Sequence, residues 1–213
     1  ACVALALPAA AEARTVYVGA YTSDTLSVAD IGADGVPTAK PGSPLAVGNG
    51  PNATVLTPDG RFLFLAEQQA DQIHRFDVAA DGSLTSGPLT PTGTNTKPYG
   101  MTVTPDGKYL YATLPGSDQV AGYAIGADGG LTPVPGSPLN VASSLVQGVA
   151  ASPDAKTLYV ADFTGSKINF LRIGSDGSLT ALPGSPLATP GFSGELAITP
   201  DGRYLYTSAY NNN

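Results

Sequence analysis

Residues able to do covalent or acid–base chemistry are few in this chain. Among 213 residues there is one histidine, His74, and one cysteine, Cys2. Cys2 precedes an apolar run, whereas a lipid-anchor cysteine follows one. Once the segment around it is cleaved, no thiolate, disulfide or Cys-ligated metal is available. His74 lies in Gln72-Ile73-His74-Arg75-Phe76, at a repeat position held elsewhere by Ser27, Ala121 and Asn169. A column that accepts those side chains reads as a tolerant strand site, not a catalytic or metal-ligating one. No Gly-x-Ser-x-Gly elbow precedes a helix, so a Ser-His-Asp triad has no signature. Asp34, Asp81, Asp128 and Asp176 each precede a glycine and are explained by turns, so no metal or other cofactor is expected. Asn52-Ala53-Thr54 matches a glycosylation sequon, a three-residue pattern too common to carry weight alone. What remains is a set of carboxylates, amides and cations that vary between otherwise constant repeats. A carboxylate can activate water, and a cation or a group of N–H donors can hold an oxyanion.

The elements that position this set follow from a tandem repeat. Thr/Ser-Pro-Asp followed by Gly or Ala begins at Thr57, Thr104, Ser152 and Thr199, in steps of 47 or 48 residues. The Asp-Gly pairs keep the same beat, and Pro-Gly-Ser-Pro-Leu starts at Pro41, Pro135 and Pro183, with a degraded copy at Gly87-Pro88-Leu89. Three markers in one register define a repeat architecture. Within one repeat, Pro98–Val103 reads as a short strand ended by a type I turn at Thr104-Pro105-Asp106-Gly107. Lys108–Thr113 and Gln119–Ile125 follow as strands, and the Asp128-Gly129 turn opens an edge strand rich in proline. Four short antiparallel strands in about 45 residues are the mark of a β-propeller blade. The fold class is therefore all-β, with four-stranded antiparallel blades. The repeats run over 14–56, 57–103, 104–151, 152–198 and an incomplete 199–213.

Composition agrees. The 26 Gly and 19 Pro recur at the turn markers, which separates ordered turns from low complexity. A charged fraction of 13% and a net charge of -7 leave no basic stripe for phosphates, so nucleic acid is not an expected partner. Residues 1–13 read as the remnant of a secretory signal peptide, an apolar run ending in Ala11-Glu12-Ala13, and are too short to span a membrane. Location is thus expected to be secreted or periplasmic.

Thr15-Val16-Tyr17-Val18-Gly19-Ala20-Tyr21-Thr22, Tyr109-Leu110-Tyr111 and Thr157-Leu158-Tyr159-Val160-Ala161-Asp162 resemble the lactonase-type seven-bladed propellers. That superfamily includes bacterial 6-phosphogluconolactonase, fungal carboxymuconate cyclase and the Tyr-Val-Thr-Asn repeat proteins of cell surfaces. The resemblance covers Arg14 to the C-terminus. It implies a ring of which about four and a half blades of seven are present, since seven repeats need roughly 330 residues. It also implies a first blade that begins at its second strand, a chain that is monomeric when complete, and ligands at the central channel. The channel columns then hold Asn52, Tyr99, Gln147 and Gly194 before the turns, with Ala53, Gly100, Gly148 and Glu195 next in line. Glu67, Leu114, Asp162 and Ala209 end the second strands, followed by Gln68, Pro115, Phe163 and Tyr210.

Channel candidates for a ligand are accordingly Asn52, Glu67, Tyr99, Gln147, Asp162, Glu195 and Tyr210. By resemblance, the lactonases carry a histidine where this chain has Gln147, an arginine at Gly194 and a glutamate at Tyr210. Asp162 is kept, and Lys167 stands where the family has arginine. The leading expectation is a secreted binding or surface scaffold with the usual lactonase residues replaced. The alternative is a lactone hydrolase with a rearranged site drawn from Glu195, Gln147, Asp162 and Lys167, with Glu195 turned by the pleat to the face opposite position 194. A cell-wall or adhesion module is a third. Expected partners are a small lactone or sugar acid, or a cell-surface component.

Overall fold

The computed structural model describes residues 3–5 (backbone alone), 14–141 and 143–210. They fall in two compact units, 1–97 and 98–213, taken in turn.

In the N-terminal unit, blade 1 contains β1 (Val3–Leu5), β2 (Arg14–Ala20), β3 (Thr25–Ile31), β4 (Pro37–Ala39) and β5 (Leu45–Ala46). The order is β1-β2-β3-β4, with β5 pairing back on β3. Blade 2 contains β6 (Pro51–Leu56), β7 (Phe62–Glu67), β8 (Gln72–Val78) and β9 (Leu84–Pro91), paired in sequence. Blade 1 therefore does have a first strand. Val3–Leu5 pairs antiparallel with Val16–Val18, because its apolar residues suit the place that the repeat leaves beside β2. The rest of the segment expected to be a leader, 1–2 and 6–13, lies outside the described residues, as does Cys2.

In the C-terminal unit, blade 3 contains β10 (Met101–Val103), β11 (Tyr109–Leu114), β12 (Gln119–Ile125), β13 (Leu131–Pro133) and β14 (Leu139–Asn140). Blade 4 repeats this with β15 (Val146–Ala151), β16 (Thr157–Asp162), β17 (Lys167–Ile173), β18 (Leu179–Ala181) and β19 (Leu187–Ala188). A fifth sheet holds β20 (Phe192–Ile198) and β21 (Leu205–Tyr210) alone. The sheets are phased differently from the repeats: each repeat counted from its Thr/Ser-Pro-Asp turn starts at a blade's second strand and ends in the next blade's first.

Local chemistry explains each marker. In Thr57-Pro58-Asp59-Gly60 the Thr57 hydroxyl donates to Asp59 Oδ1 at 2.6 Å and accepts the Phe62 N–H at 3.1 Å. Asp59 Oδ1 also accepts the Arg61 N–H, and Gly60 sits at φ 72. The same bonds recur at Thr104, Ser152 and Thr199. Pro-Gly-Ser-Pro-Leu ends the fourth strand and returns the chain to the third. On the way Ser43, Ser137 and Ser185 accept the N–H groups of Val28, Gly122 and Phe170 at 2.8, 2.9 and 2.8 Å. Each hydroxyl thus replaces a ladder bond that the interrupted edge cannot supply. The recurring Asp-Gly aspartates are occupied by their own turns, Asp81 accepting from Ser83 and Asp176 from Ser178.

The second strands of blades 2 and 3 are the most buried elements: every residue of β7 is buried, as are five of the six in β11. Burial on both faces demands apolar packing from a neighbouring blade, and two clusters supply it. In the N-terminal unit Tyr17, Leu26 and Val28 pack with Leu63, Leu65 and Phe76. In the C-terminal unit Tyr111 and Val120 pack with Val146, Leu158, Val160 and Leu171. Each cluster contains a buried tyrosine whose hydroxyl donates at 2.8 Å to the next blade's Asp-Gly turn, Tyr17 to the Gly82 carbonyl and Tyr111 to that of Gly177. Burial pushes the Tyr17 hydroxyl pKa up to about 12.

The turn glycine in such a contact has two reasons to be glycine. Gly35 and Gly82 share the left-handed conformation, at φ 82 and 78, but a Cβ on Gly35 meets nothing within 4 Å, whereas one on Gly82 would overlap the Thr15 hydroxyl. Gly35→Ala should therefore cost about 1–2 kcal/mol for the backbone alone. Gly82→Ala should cost a further 1–3 kcal/mol or so for overpacking, read as a lower urea midpoint at unchanged slope. Equal losses in the two variants would show that this blade contact contributes nothing.

Candidate functional site

The columns that vary between repeats fall on one repeated irregularity. In β6, β15 and β20 the register shifts so that two residues oppose one: Asn52 and Ala53 stand against Ala66, Gln147 and Gly148 against Ala161, and Gly194 and Glu195 against Ser208. These are β-bulges, which break the alternation of side chains and re-aim them. The pleat expected to turn Glu195 away from position 194 is interrupted there by the bulge. Just before β10, Tyr99 and Gly100 meet Thr113 in a related way. Both backbone groups of Thr113 bond to Tyr99 and Gly100, and its hydroxyl takes the Gly100 N–H at 2.8 Å.

Backbone rather than side chain fills the space between bulges of the C-terminal unit. A Cβ on Gly100 would overlap the Gln147 carbonyl, and one on Gly148 would overlap that of Gly194. Thr113 donates to that same Gln147 carbonyl at 2.7 Å. At 100 and 148 glycine is a steric requirement, whereas Ala53 and Glu195 hold the same column in blade 2 and the fifth sheet. Glu195 and Tyr210 are exposed, while Asn52, Tyr99, Gln147 and Lys167 are half-buried. Although Glu195 as a residue is exposed, the surrounding chain desolvates its carboxyl enough to hold it above the ordinary range. Tyr210 belongs to an aromatic group at the strand ends, with Phe163 5.4 Å from Phe192 and 6.1 Å from Tyr210 between ring centroids.

Glu67 and Asp162 occupy equivalent places and share one task. Glu67 is fully buried at the end of β7, and its Oε1 accepts the Gly48 N–H at 2.8 Å from the loop entering blade 2. Asp162, also fully buried, accepts the Ser144 N–H at 3.1 Å from the loop entering blade 4, and the Gly165 N–H at 2.8 Å. Its Oδ2 faces Lys167 Nζ at 3.5 Å. Asp162 and Lys167 are therefore brought together, but as a clasp on the backbone. Gln147 and Glu195 lie on the bulges of β15 and β20.

Beyond Glu67 the structure shows a constellation that column reasoning missed. His74 is buried, with Nδ1 2.9 Å from Glu67 Oε1 and Nε2 2.8 Å from Ser86 Oγ. Gln72 donates to the other carboxylate oxygen at 2.5 Å. The sequence shows a histidine whose repeat partners are Ser27, Ala121 and Asn169 and so conceals the pairing, which needs both Glu67 and the degraded outer-strand motif of the same blade. Among the described residues no group of three or more His, Cys, Asp or Glu is placed to hold a metal ion, and no helix is long and apolar enough to cross a membrane.

A family model described as lactonase, seven-bladed β-propeller, matches residues 36–146, just over half of the chain. The chain belongs to that family. A candidate 6-phosphogluconolactonase from Bacteroides uniformis has a similar structure, with a TM-score of 0.81 and 25% identity, covering 94% of this chain and 62% of that one. A periplasmic gluconolactonase of Pseudomonas aeruginosa, PpgL, matches with a TM-score of 0.77 and 21% identity, over 96% of this chain and 62% of that one. Virginiamycin B lyase of Staphylococcus aureus shares the fold at a TM-score of 0.65 and 18% identity, over 96% of this chain and 61% of that one. The lactonase-family chain thus spans about three fifths of the length of these structures. No curated protein matches it by sequence.

Burial alone would raise the Glu67 carboxyl, but hydrogen bonds from His74, Gln72 and Gly48 outweigh it and hold the group below its ordinary 4.5. A depressed folded value means that the stabilisation is complete above the unfolded value and is lost as pH falls through the folded one. Wild-type protein should lose stability on acidification below about pH 4.5, and Glu67→Gln should remove part of that slope while lowering stability at neutral pH. Urea melts at several pH values check this; parallel slopes for both proteins would refute it.

Proposed function

We propose that the lactonase-family chain is an extracytoplasmic binding module for a small sugar acid or its lactone, with the hydrolytic set of its relatives replaced. One observation carries the reading: the acid and cation that remain, Asp162 and Lys167, are paired with each other, and Asp162 is buried holding the backbone of residues 144 and 165. Gln147 cannot take a proton at neutral pH, and Gly194 brings no charge. Phe163 and the exposed Tyr210 offer an aromatic platform beside the bulges, suited to the face of a sugar ring. The periplasmic location of one structural neighbour supports a place outside the cytoplasm.

A hydrolase reading has one observation in its favour. Glu195 stands on a bulge with its carboxyl raised by burial, the direction that suits a general base. A panel of sugar and aromatic lactones, followed by titration calorimetry with the matching acids, decides between the two. The binding module should give no turnover, and Tyr210→Ala should weaken binding about tenfold, or about 1.4 kcal/mol. Lactone turnover that disappears in Glu195→Gln would overturn it.

A further inference from the structure

We propose that Ser86, His74 and Glu67 form a separate site in blade 2, in which Ser86 is an activated nucleophile that takes acyl groups from carboxylic esters. The inference does not rest on the bulge positions or on the binding reading above.

Directionality follows from the donors around Glu67. Its Oε1 accepts the Gly48 N–H at 2.8 Å and its Oε2 the Gln72 amide at 2.5 Å, so the carboxyl is surrounded by donors and held ionised. An ionised carboxylate only accepts, so the His74 Nδ1 atom 2.9 Å away must carry the proton. With the ring neutral, Nε2 is the acceptor, and the Ser86 hydroxyl 2.8 Å from it is the donor. The acid is fully buried, the base is 9% exposed and the serine is exposed. That gradient suits a nucleophile that meets solvent-borne substrate while its supporting groups stay dry.

The degraded motif explains why only blade 2 has this arrangement. Blades 1, 3 and 4 interrupt the outer edge with Pro-Gly-Ser-Pro-Leu, whereas β9 runs unbroken from Leu84 to Pro91 with one bulge. Ser86 stands opposite Phe76 and Leu89 opposite His74, so Leu89, 50% exposed, lies on the histidine's face of the sheet. Leu89 thus offers an exposed apolar surface for the acyl chain of an ester.

In the reaction Ser86 Oγ bonds to the ester carbonyl carbon as its proton passes to His74 Nε2. The tetrahedral adduct then breaks its bond to the alkoxy oxygen, which leaves with the proton from Nε2. Water repeats the sequence on acyl-Ser86 and releases the carboxylic acid. His74 is the general base, and Glu67, which touches no substrate, is a positioning residue that fixes the tautomer.

A fluorophosphonate probe tests the nucleophile, because Ser86 Oγ would form the P–O bond and fluoride would depart. Peptide mass spectrometry should find one label per chain, on Ser86. Labelling should be lost in Ser86→Ala, whose site is exposed enough to leave folding intact, and slowed at least tenfold in His74→Gln. The chain has a single histidine, so its imidazole nitrogen-15 spectrum is unambiguous and should show the Nδ1–H tautomer in the unmodified protein. Glu67→Gln should move the Nδ1 proton resonance upfield. No label on Ser86, a labelling rate indifferent to His74→Gln, or an Nε2–H tautomer would each overturn the proposal.

Discussion

A tyrosine hydroxyl in a dry interface must find an acceptor, or it costs about what a lost hydrogen bond costs. In this protein the acceptor is the carbonyl of a turn in the next blade: Gly82 for Tyr17, and Gly177 for Tyr111. Tyr111 stands on a second strand buried on both faces and Tyr17 on the buried face of β2, so each blade needs its neighbour to cover its apolar surface. The bond also fixes register, because it is made only when the neighbouring Asp-Gly turn lies at one height and its glycine leaves room. Area burial holds two blades together without direction, and the hydroxyl supplies the direction. Much else follows from that pairing, including the backbone contacts between the bulges of the C-terminal unit.

Much of this was legible in the sequence because turns are local. Thr57, Asp59 and Gly60 satisfy one another within a few residues, so their chemistry shows in the residue types. Strand order within a blade follows from the same turns. The bulges were not legible, since they are made by pairing two residues against one on a different strand. The only trace is glycine at 100 and 148, where the next inner strand comes close. Nor was the first strand of blade 1: Val3–Leu5 falls within the segment that reads as a leader, and its ladder with β2 has no local signature.

The candidate site shows the same division. Columns taken from the repeat found the positions that vary, and Glu67 and Asp162 were both among them. Their shared role, accepting an N–H from the loop that enters their own blade, was hidden because the partners are backbone groups with no sequence signature. Comparing the two explains how one came to differ. Glu67 is longer by a methylene and meets His74, whereas Asp162 stands where the third-strand residue is Asn169 and is answered by Lys167 instead.

Repeat proteins are free to vary where a unit's own folding does not depend on the side chain. Blade 2 has used that freedom at its outer edge. The serine of Pro-Gly-Ser-Pro-Leu is bound to a third-strand N–H in blades 1, 3 and 4, so its hydroxyl is occupied. Where the motif is shortened, the outer strand straightens and Ser86 turns its hydroxyl to a histidine instead of to the backbone. Gly87 holds the motif's serine position in blade 2, and Ser86 beside it is linked to a base and a buried acid. New chemistry in a tandem repeat therefore need not arise at the inner strands, where backbone packing restricts what can be inserted; it can arise at an edge, where one degraded copy of a motif leaves room for a different polar group.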